Sequence, residues 1–135
     1  MSDPFTLVRV GSEAYAVPVT HVVEVDELGD IATVPGAPAT AMGVRNVRGQ
    51  LLPVFYLAPL LGIERQERAT GLLVAEERGQ LAGLAVDEIT DVAALPEALQ
   101  EVESELLLGA TLVDGALVGV IDVPRLFAAL ERTAA

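Results

Sequence analysis

Gly43-Val44-Arg45-Asn46-Val47-Arg48-Gly49-Gln50-Leu51-Leu52-Pro53-Val54-Phe55-Tyr56-Leu57-Ala58-Pro59-Leu60-Leu61-Gly62 decides how this chain folds. It opens on a polar turn, Arg45 to Gly49, and then runs from Leu51 to Ile63 without a charge. Such a run is too short to span a bilayer and too apolar to lie on a surface. Leu51 to Leu57 mixes Leu, Val, Phe and Tyr around one proline, which reads as a buried strand with a bulge or an edge at Pro53. Ala58 to Leu61 reads as a single helical turn that Pro59 starts and Gly62 stops. The two arginines of the turn stand out because 8 basic residues face 20 acidic ones. Function is expected to start there.

Working outward, 135 residues predict one domain over 1–135, large enough to bury a substantial core. Half the chain is hydrophobic, yet its aromatics are confined to Phe5, Tyr15, Phe55, Tyr56 and Phe127, so Val, Leu and Ala must pack it. With 12 Gly and 8 Pro, short strands and many turns are favoured over a helical bundle. A formal charge of −12 argues against nucleic-acid or anionic-membrane binding, either of which needs a basic footprint. It favours a partner of complementary positive charge. Every basic residue is Arg, which removes lysine chemistry, and the absence of Cys removes disulfides, thiolate catalysis and sulfur-bound zinc. Met1-Ser2-Asp3-Pro4 carries neither a basic segment nor a hydrophobic core, so no signal peptide is expected and the protein reads as cytoplasmic, with no cofactor.

Along the chain, Phe5 to Val10 and Tyr15 to Val19 read as a hairpin across Gly11-Ser12-Glu13. Thr20 to Val25 is ambiguous between strand and helical turn, and Asp26 to Asp30 reads as an acidic loop. Ile31 to Val34 predicts a short strand, and Pro38 to Met42 a brief helix. Arg65 to Thr70 is a connector. Gly71 to Glu76 and Leu81 to Val86 predict a second hairpin, and Asp87 to Leu95 repeats the mixed acidic and β-branched pattern. Pro96 to Leu107 is expected to be helical, with Leu99, Val102 and Leu106 inward and Glu97 to Glu105 on a solvated face. Thr111 to Val113 and Leu117 to Ile121 predict a third hairpin around Asp114-Gly115. Asp122 is placed to cap a last helix, Val123 to about Arg132, that buries Leu126, Phe127 and Leu130.

The chain also repeats itself. Shifted by 66 residues, Gly49, Leu51, Val54 and Leu60 fall on Gly115, Leu117, Val120 and Leu126. Shifted by 67, Val17 to Val25 falls on Leu84 to Val92, with Glu24 on Asp91. One period repeated once argues for two similar β-lobes rather than a solenoid, which needs more copies.

On these residues the chain resembles the CheW-like family, the adaptor domains of bacterial chemosensory arrays, from about Phe5 to Leu130. Gly43 to Gly49 followed by Leu52-Pro53-Val54 is similar to that family's Gly-x-x-Asn-hydrophobic-Arg-Gly signature. Tyr15 to Val19 with Val22 and Glu24, and Gly83 to Val92, match two further segments. The resemblance implies a mainly β fold of two pseudo-symmetric SH3-like barrel lobes with short helices and a C-terminal helix. It implies no catalytic role. The implied partners are the CheW-like regulatory domain of the histidine kinase CheA and the cytoplasmic hairpin tip of a methyl-accepting chemoreceptor, with recruitment to membrane-associated arrays but no direct membrane insertion. Carried over by position, partner contacts involve Val22, Glu24, Gly43, Arg48, Gly83, Ile89 and Val92. Where the family commonly has Asp, this chain has Tyr56, while Asp122 keeps the equivalent place in the second lobe.

Each of these positions also has a purely structural account. Arg48 either bonds the carbonyls of its own turn or stays available to a partner, and Glu24 is expected beside it at a groove between the lobes. Gly43 and Gly49 suit backbone necessity. Val22, Ile89 and Val92 become interface residues only if exposed. Kinase docking is expected on the second lobe, around the Gly79 and Gly115 hairpins. Two competing classes remain. An enzyme would have to work from His21, Ser2, Ser12 and Ser104 or from the carboxylates of Asp87, Glu88 and Asp91. A small barrel could instead bind a peptide outside any array, and an adaptor could equally serve a pilus-based system.

Overall fold

The computed structural model describes residues 4–63, 69–95 and 99–134. The strands are β1 (Pro4–Val10), β2 (Glu13–Pro18), β3 (Val22–Glu27), β4 (Ala41–Val47), β5 (Gln50–Tyr56), β6 (Gly71–Glu77), β7 (Gln80–Val86), β8 (Glu88–Ala94), β9 (Leu107–Val113) and β10 (Ala116–Ile121). A 3-10 turn at Val19–His21, α1 (Leu57–Leu60) and α2 (Val123–Ala134) complete them. The fold is mainly β, in two lobes with a C-terminal helix.

Three hairpins are built alike. Arg48 and Gly49, Arg78 and Gly79, and Asp114 and Gly115 are pairs with positive φ at both positions. Two central residues of that kind make the type I′ turn, whose twist matches the flanking strands.

Two five-stranded sheets result, ordered β8-β1-β2-β10-β9 and β3-β6-β7-β5-β4. Exchanging β1 to β5 with β6 to β10 turns one order into the other. The equivalence extends to single residues. The parallel pair Val54↔Gly83 matches Val120↔Ala16, and Val22↔Ala75 matches Ile89↔Val8, each next to the same register shift. Neither repeat forms a lobe alone, however. β3 leaves its own hairpin β1–β2 to pair with β6, and β8 returns the exchange by pairing with β1. The Gly79 and Gly115 hairpins, expected on one lobe, therefore lie on different sheets.

Alternation along each strand feeds two cores at once, which explains the near-continuous apolar runs. On β6, Leu72 and Val74 enter a small core inside the second sheet, while Leu73 and Ala75 face the core shared between sheets. On β2, Ala16 enters the matching small core of the first sheet, and Tyr15 and Val17 face the shared one. The helix α2 closes the shared core with Leu126, Phe127 and Leu130. Truncating a fully buried leucine such as Leu73 in a core this dense costs about 2–5 kcal/mol.

Several local expectations are corrected. β5 is neither bulged nor an edge at Pro53: it lies between β7 and β4, and the register shift falls on β4 between Ala41 and Gly43. Proline is tolerated because parallel pairing with β7 begins one residue later, at Val54. Pro38 to Met42 is a turn leading into β4, not a helix. Ile31 to Val34 contributes one bridge, Ala32↔Val44. The acidic loop starts later than expected, since Asp26 and Glu27 still pair with Leu72 and Gly71. Residues 99–107 carry no helix: Gln100 bridges Ala110, Val102 is exposed and Leu106 alone of the three apolar positions is fully buried. Residues 96–98 of that segment, and 65–68 of the connector, lie outside the described residues.

Asp122 does cap α2, accepting the Arg125 N–H at 3.1 Å. At the equivalent place Tyr56 precedes α1 with no side-chain cap bond. The departure from Asp to Tyr thus coincides with a helix of one turn where the second repeat has three turns.

Candidate functional site

The Arg48-Gly49 turn sits at the open end of the second sheet. Its geometry is set by the backbone and by Asn46, whose Oδ1 accepts the Gly49 N–H at 2.9 Å. The turn therefore does not use Arg48, whose side chain is 83% exposed. Its Nη2 stands 3.7 Å from Oε1 of Glu24 on β3, which is 26% exposed. That distance is an ion pair but too long for a hydrogen bond.

The two arginines of this hairpin divide the work. Arg45 Nη1 donates to the Glu27 and Leu28 carbonyls at 2.6 and 3.0 Å, and Nη2 to Asp26 Oδ2 at 3.0 Å. It staples the end of β3 to β4. The Asp26 carboxyl is held below its ordinary value, first by the Glu27 N–H and then by Arg45.

A groove of about 380 Å³ runs beside Arg48 and Glu24, lined also by Val23, Leu51, Pro53 and Leu81. Every lining residue belongs to β3 to β7 or their turns, so the groove lies within one lobe and not between the lobes, as the sequence suggested. Leu51 at its mouth is 73% exposed and Val23 48%.

The other predicted residues are distributed as follows. Val22 and Ile89 occupy equivalent registers on the edge strands β3 and β8, half-buried against the shared core. Val92, also on β8, is exposed. Glu24, Val22 and Arg48 thus share one sheet, and Ile89 and Val92 lie on the other. Gly43 and Gly83 are buried. A Cβ on Gly43, whose φ is +152°, would strike the Ala32 carbonyl oxygen, and one on Gly83 would stand 2.9 Å from Leu72 Cδ1. They present no side chain to a partner.

Sequence reasoning expected an exposed apolar surface around the Gly115 hairpin but did not name its residues. Leu112 and Leu117 are cross-strand neighbours on β9 and β10, both well exposed, beside the Asp114-Gly115 turn. The available signal was the repeat: Leu117 is the equivalent of Leu51. Exposed aliphatics at matching places on both hairpins are more than isolated surface leucines.

Three of the groups an enzyme could use are held structurally. The His21 ring donates from Nδ1 to the Glu76 carbonyl at 3.0 Å. Asp87 Oδ2 accepts the Gly11 N–H at 2.8 Å, and Glu88 pairs with Arg9 at 3.1 Å. Among the described residues, no group of three or more His, Asp or Glu is placed to hold a metal ion. None of the described helices is long and apolar enough to cross a membrane.

Comparison with known proteins places this geometry. The model of the CheW-like domain matches residues 4–131. A probable chemotaxis protein CheW of Rhizobium etli is 28% identical, covering 94% of this chain and 88% of its own. Protein PilI of Pseudomonas aeruginosa is 36% identical over 65% of this chain and 51% of its own. The crystal structure of the scaffolding protein TtCheW from Thermoanaerobacter tengcongensis superposes with a TM-score of 0.83 at 25% identity, covering 94% of this chain and 88% of that one.

Proposed function

This chain belongs to the CheW-like domain family, and on that premise we propose that it is a non-catalytic adaptor coupling chemoreceptors to the histidine kinase CheA. One observation carries the proposal: two distinct partner-type surfaces sit on different sheets. The first holds the Glu24–Arg48 pair at the mouth of a groove, with Val22 on the same edge strand. The second is the exposed pair Leu112 and Leu117. An adaptor needs separate surfaces; a protein with one ligand does not.

We assign the receptor hairpin tip to the first surface, together with Ile89 and Val92 on the matching edge strand. The CheW-like domain of the kinase is assigned to the second, where an apolar hairpin end can meet its counterpart edge to edge. Chain charge supports recruitment by positively charged partner surfaces rather than by lipid. A cytoplasmic protein held at membrane arrays through its partners follows.

Co-sedimentation with membranes carrying receptor and CheA tests this. The adaptor should pellet only when receptor or kinase is present. A chain that stays in the supernatant with both would instead be a peptide-binding barrel outside any array. Membranes from flagellar and pilus-based systems, compared side by side, decide which output it serves.

A further inference from the structure

Pseudo-symmetry exposes a vacant slot. In the first sheet Tyr15 on β2 lies directly opposite Gly119 on β10. The ring covers that glycine so closely that a Cβ on Gly119 would stand 3.0 Å from Tyr15 Cδ1. Tyr15 is buried there, and burial, then the neighbouring Glu13 carboxylate, push its phenol above the ordinary 10.0, so the ring is neutral. In the second sheet the equivalent residues are Ala82 and Pro53. A methyl group thus stands where the first sheet has the Tyr15 ring, with Phe55 and Phe127 lining the space beside it. A groove of about 330 Å³ opens at this spot, floored by Pro53, Phe55, Leu81, Ala82, Phe127 and Leu130.

Carboxylates outnumber cations at the rim. Glu131 borders this groove and an adjoining one that reaches Glu77 and Arg78, the two sharing Gln80 and Phe127. Glu77 Oε2 is buried without a hydrogen-bond partner among the described residues, with His21 Nδ1 at 3.7 Å, while Arg78 Nε stands 3.8 Å from the other oxygen, Oε1. A carboxylate in that state is matched by an incoming N–H donor.

We propose that this groove between β5, β7 and α2 is a socket for one aromatic side chain of a partner segment that carries an adjacent basic residue. The shape argument is internal: the same fold fills the equivalent position of its other lobe with a tyrosine ring. The charge argument is that the rim offers carboxylates. The socket adjoins the Glu24–Arg48 groove, with which it shares Pro53 and Leu81, but takes a different occupant and does not depend on array membership.

The test is NMR titration of the ¹⁵N-labelled full chain with the blocked tripeptides Arg-Tyr-Arg, Arg-Ala-Arg and Glu-Tyr-Glu. Arg-Tyr-Arg should shift the amides of Phe55, Ala82 and Phe127, binding at about millimolar affinity, as a single anchor side chain allows. Arg-Ala-Arg should leave them unmoved. Glu-Tyr-Glu should bind more weakly by about twofold to fivefold, the worth of one exposed ion pair. The double substitution Pro53→Gly with Ala82→Tyr reproduces the Gly119–Tyr15 arrangement, plugs the socket and should abolish the shifts. Should that variant not fold, Glu131→Arg, a surface change, should still reverse the preference between Arg-Tyr-Arg and Glu-Tyr-Glu. Equal responses to all three peptides, or shifts that persist in the plugged variant, overturn the proposal. Concentration-dependent shifts of the same amides without peptide would give the groove to a second copy of this chain and overturn it as well.

Discussion

Arg48 approaches Glu24 to 3.7 Å across the mouth of a groove, yet its own backbone is strained for a residue of its kind, with φ at +52°. A type I′ turn prefers Asn-Gly, because asparagine tolerates the left-handed region far better than arginine. The exposed ion pair itself is worth on the order of 0–1 kcal/mol. Neither turn chemistry nor stability therefore accounts for arginine at this position, and the receptor contact proposed above is the role left to test.

Arg48→Asn and Arg78→Asn test that inference together. Both residues occupy the same place in equivalent turns, with φ at +52° and +51°. Each substitution should stabilise the fold by about 0.5 kcal/mol, raising Tm by ~2 °C. In co-sedimentation with receptor and CheA, Arg48→Asn should weaken assembly by about tenfold, or 1.4 kcal/mol, since Glu24 is left desolvated and unpaired at the interface. Arg78→Asn should leave assembly alone. If the two variants assemble equally well, Arg48 is not a contact residue.

Gly43 and Gly83 separate two kinds of obstacle. An added methyl at Gly43 meets the Ala32 carbonyl, whose oxygen already accepts the Val44 N–H at 2.9 Å, so the backbone bridge must break. At Gly83 it meets the flexible end of Leu72. Gly43→Ala should cost about 2 kcal/mol or more, and Gly83→Ala about 1–2 kcal/mol. Urea denaturation checks the order, and equal losses would contradict the close approach at Ala32.

Asp26 gives a pH dependence of definite sign. Its folded carboxyl titrates below the ordinary 3.8, so its stabilisation is complete above that value and is lost as pH falls through the folded pKa. Asp26→Asn should therefore be less stable than the parent at neutral pH, with the gap closing below about pH 4. A gap that persists unchanged at lower pH would mean that the charge on Asp26 is not what matters.

The sequence announced what is local or repeated and concealed what is exchanged. Each of the three hairpins carries Gly at the second turn position between alternating strands, and the 66-residue offset matched the turns at Gly49 and Gly115. Arg48 and Glu24 were brought together by motif resemblance, and their proximity follows from β3 joining the sheet of β4 and β5. That same exchange defeated the placement of the groove between lobes and of two hairpins on one lobe, because β3 pairs with β6 across more than forty residues of chain. Helix was expected at Pro38 to Met42 from composition, and after Pro96 from the spacing of Leu99, Val102 and Leu106. Tertiary pairing overrode propensity in the first case at Ala41, which pairs with Phe55, and in the second at Gln100, which bridges Ala110.

Leu117 carries the last prediction. It is 58% exposed and faces the 66% exposed Leu112 across the hairpin, so an aspartate there meets solvent and not the core. Leu117→Asp should change stability by no more than about 0.5 kcal/mol. An apolar anchor replaced by a charge at the centre of a docking patch costs about 2 kcal/mol or more in binding. Kinase binding, measured by pull-down with the CheA regulatory domain, should thus fall by at least about tenfold, while sedimentation with receptor alone stays intact. Val34→Asp, an exposed apolar position at 46% on a different segment, is the control and should affect neither. Loss of both partners in Leu117→Asp, with a lowered Tm, would report unfolding, and retention of both would remove this hairpin from the kinase surface.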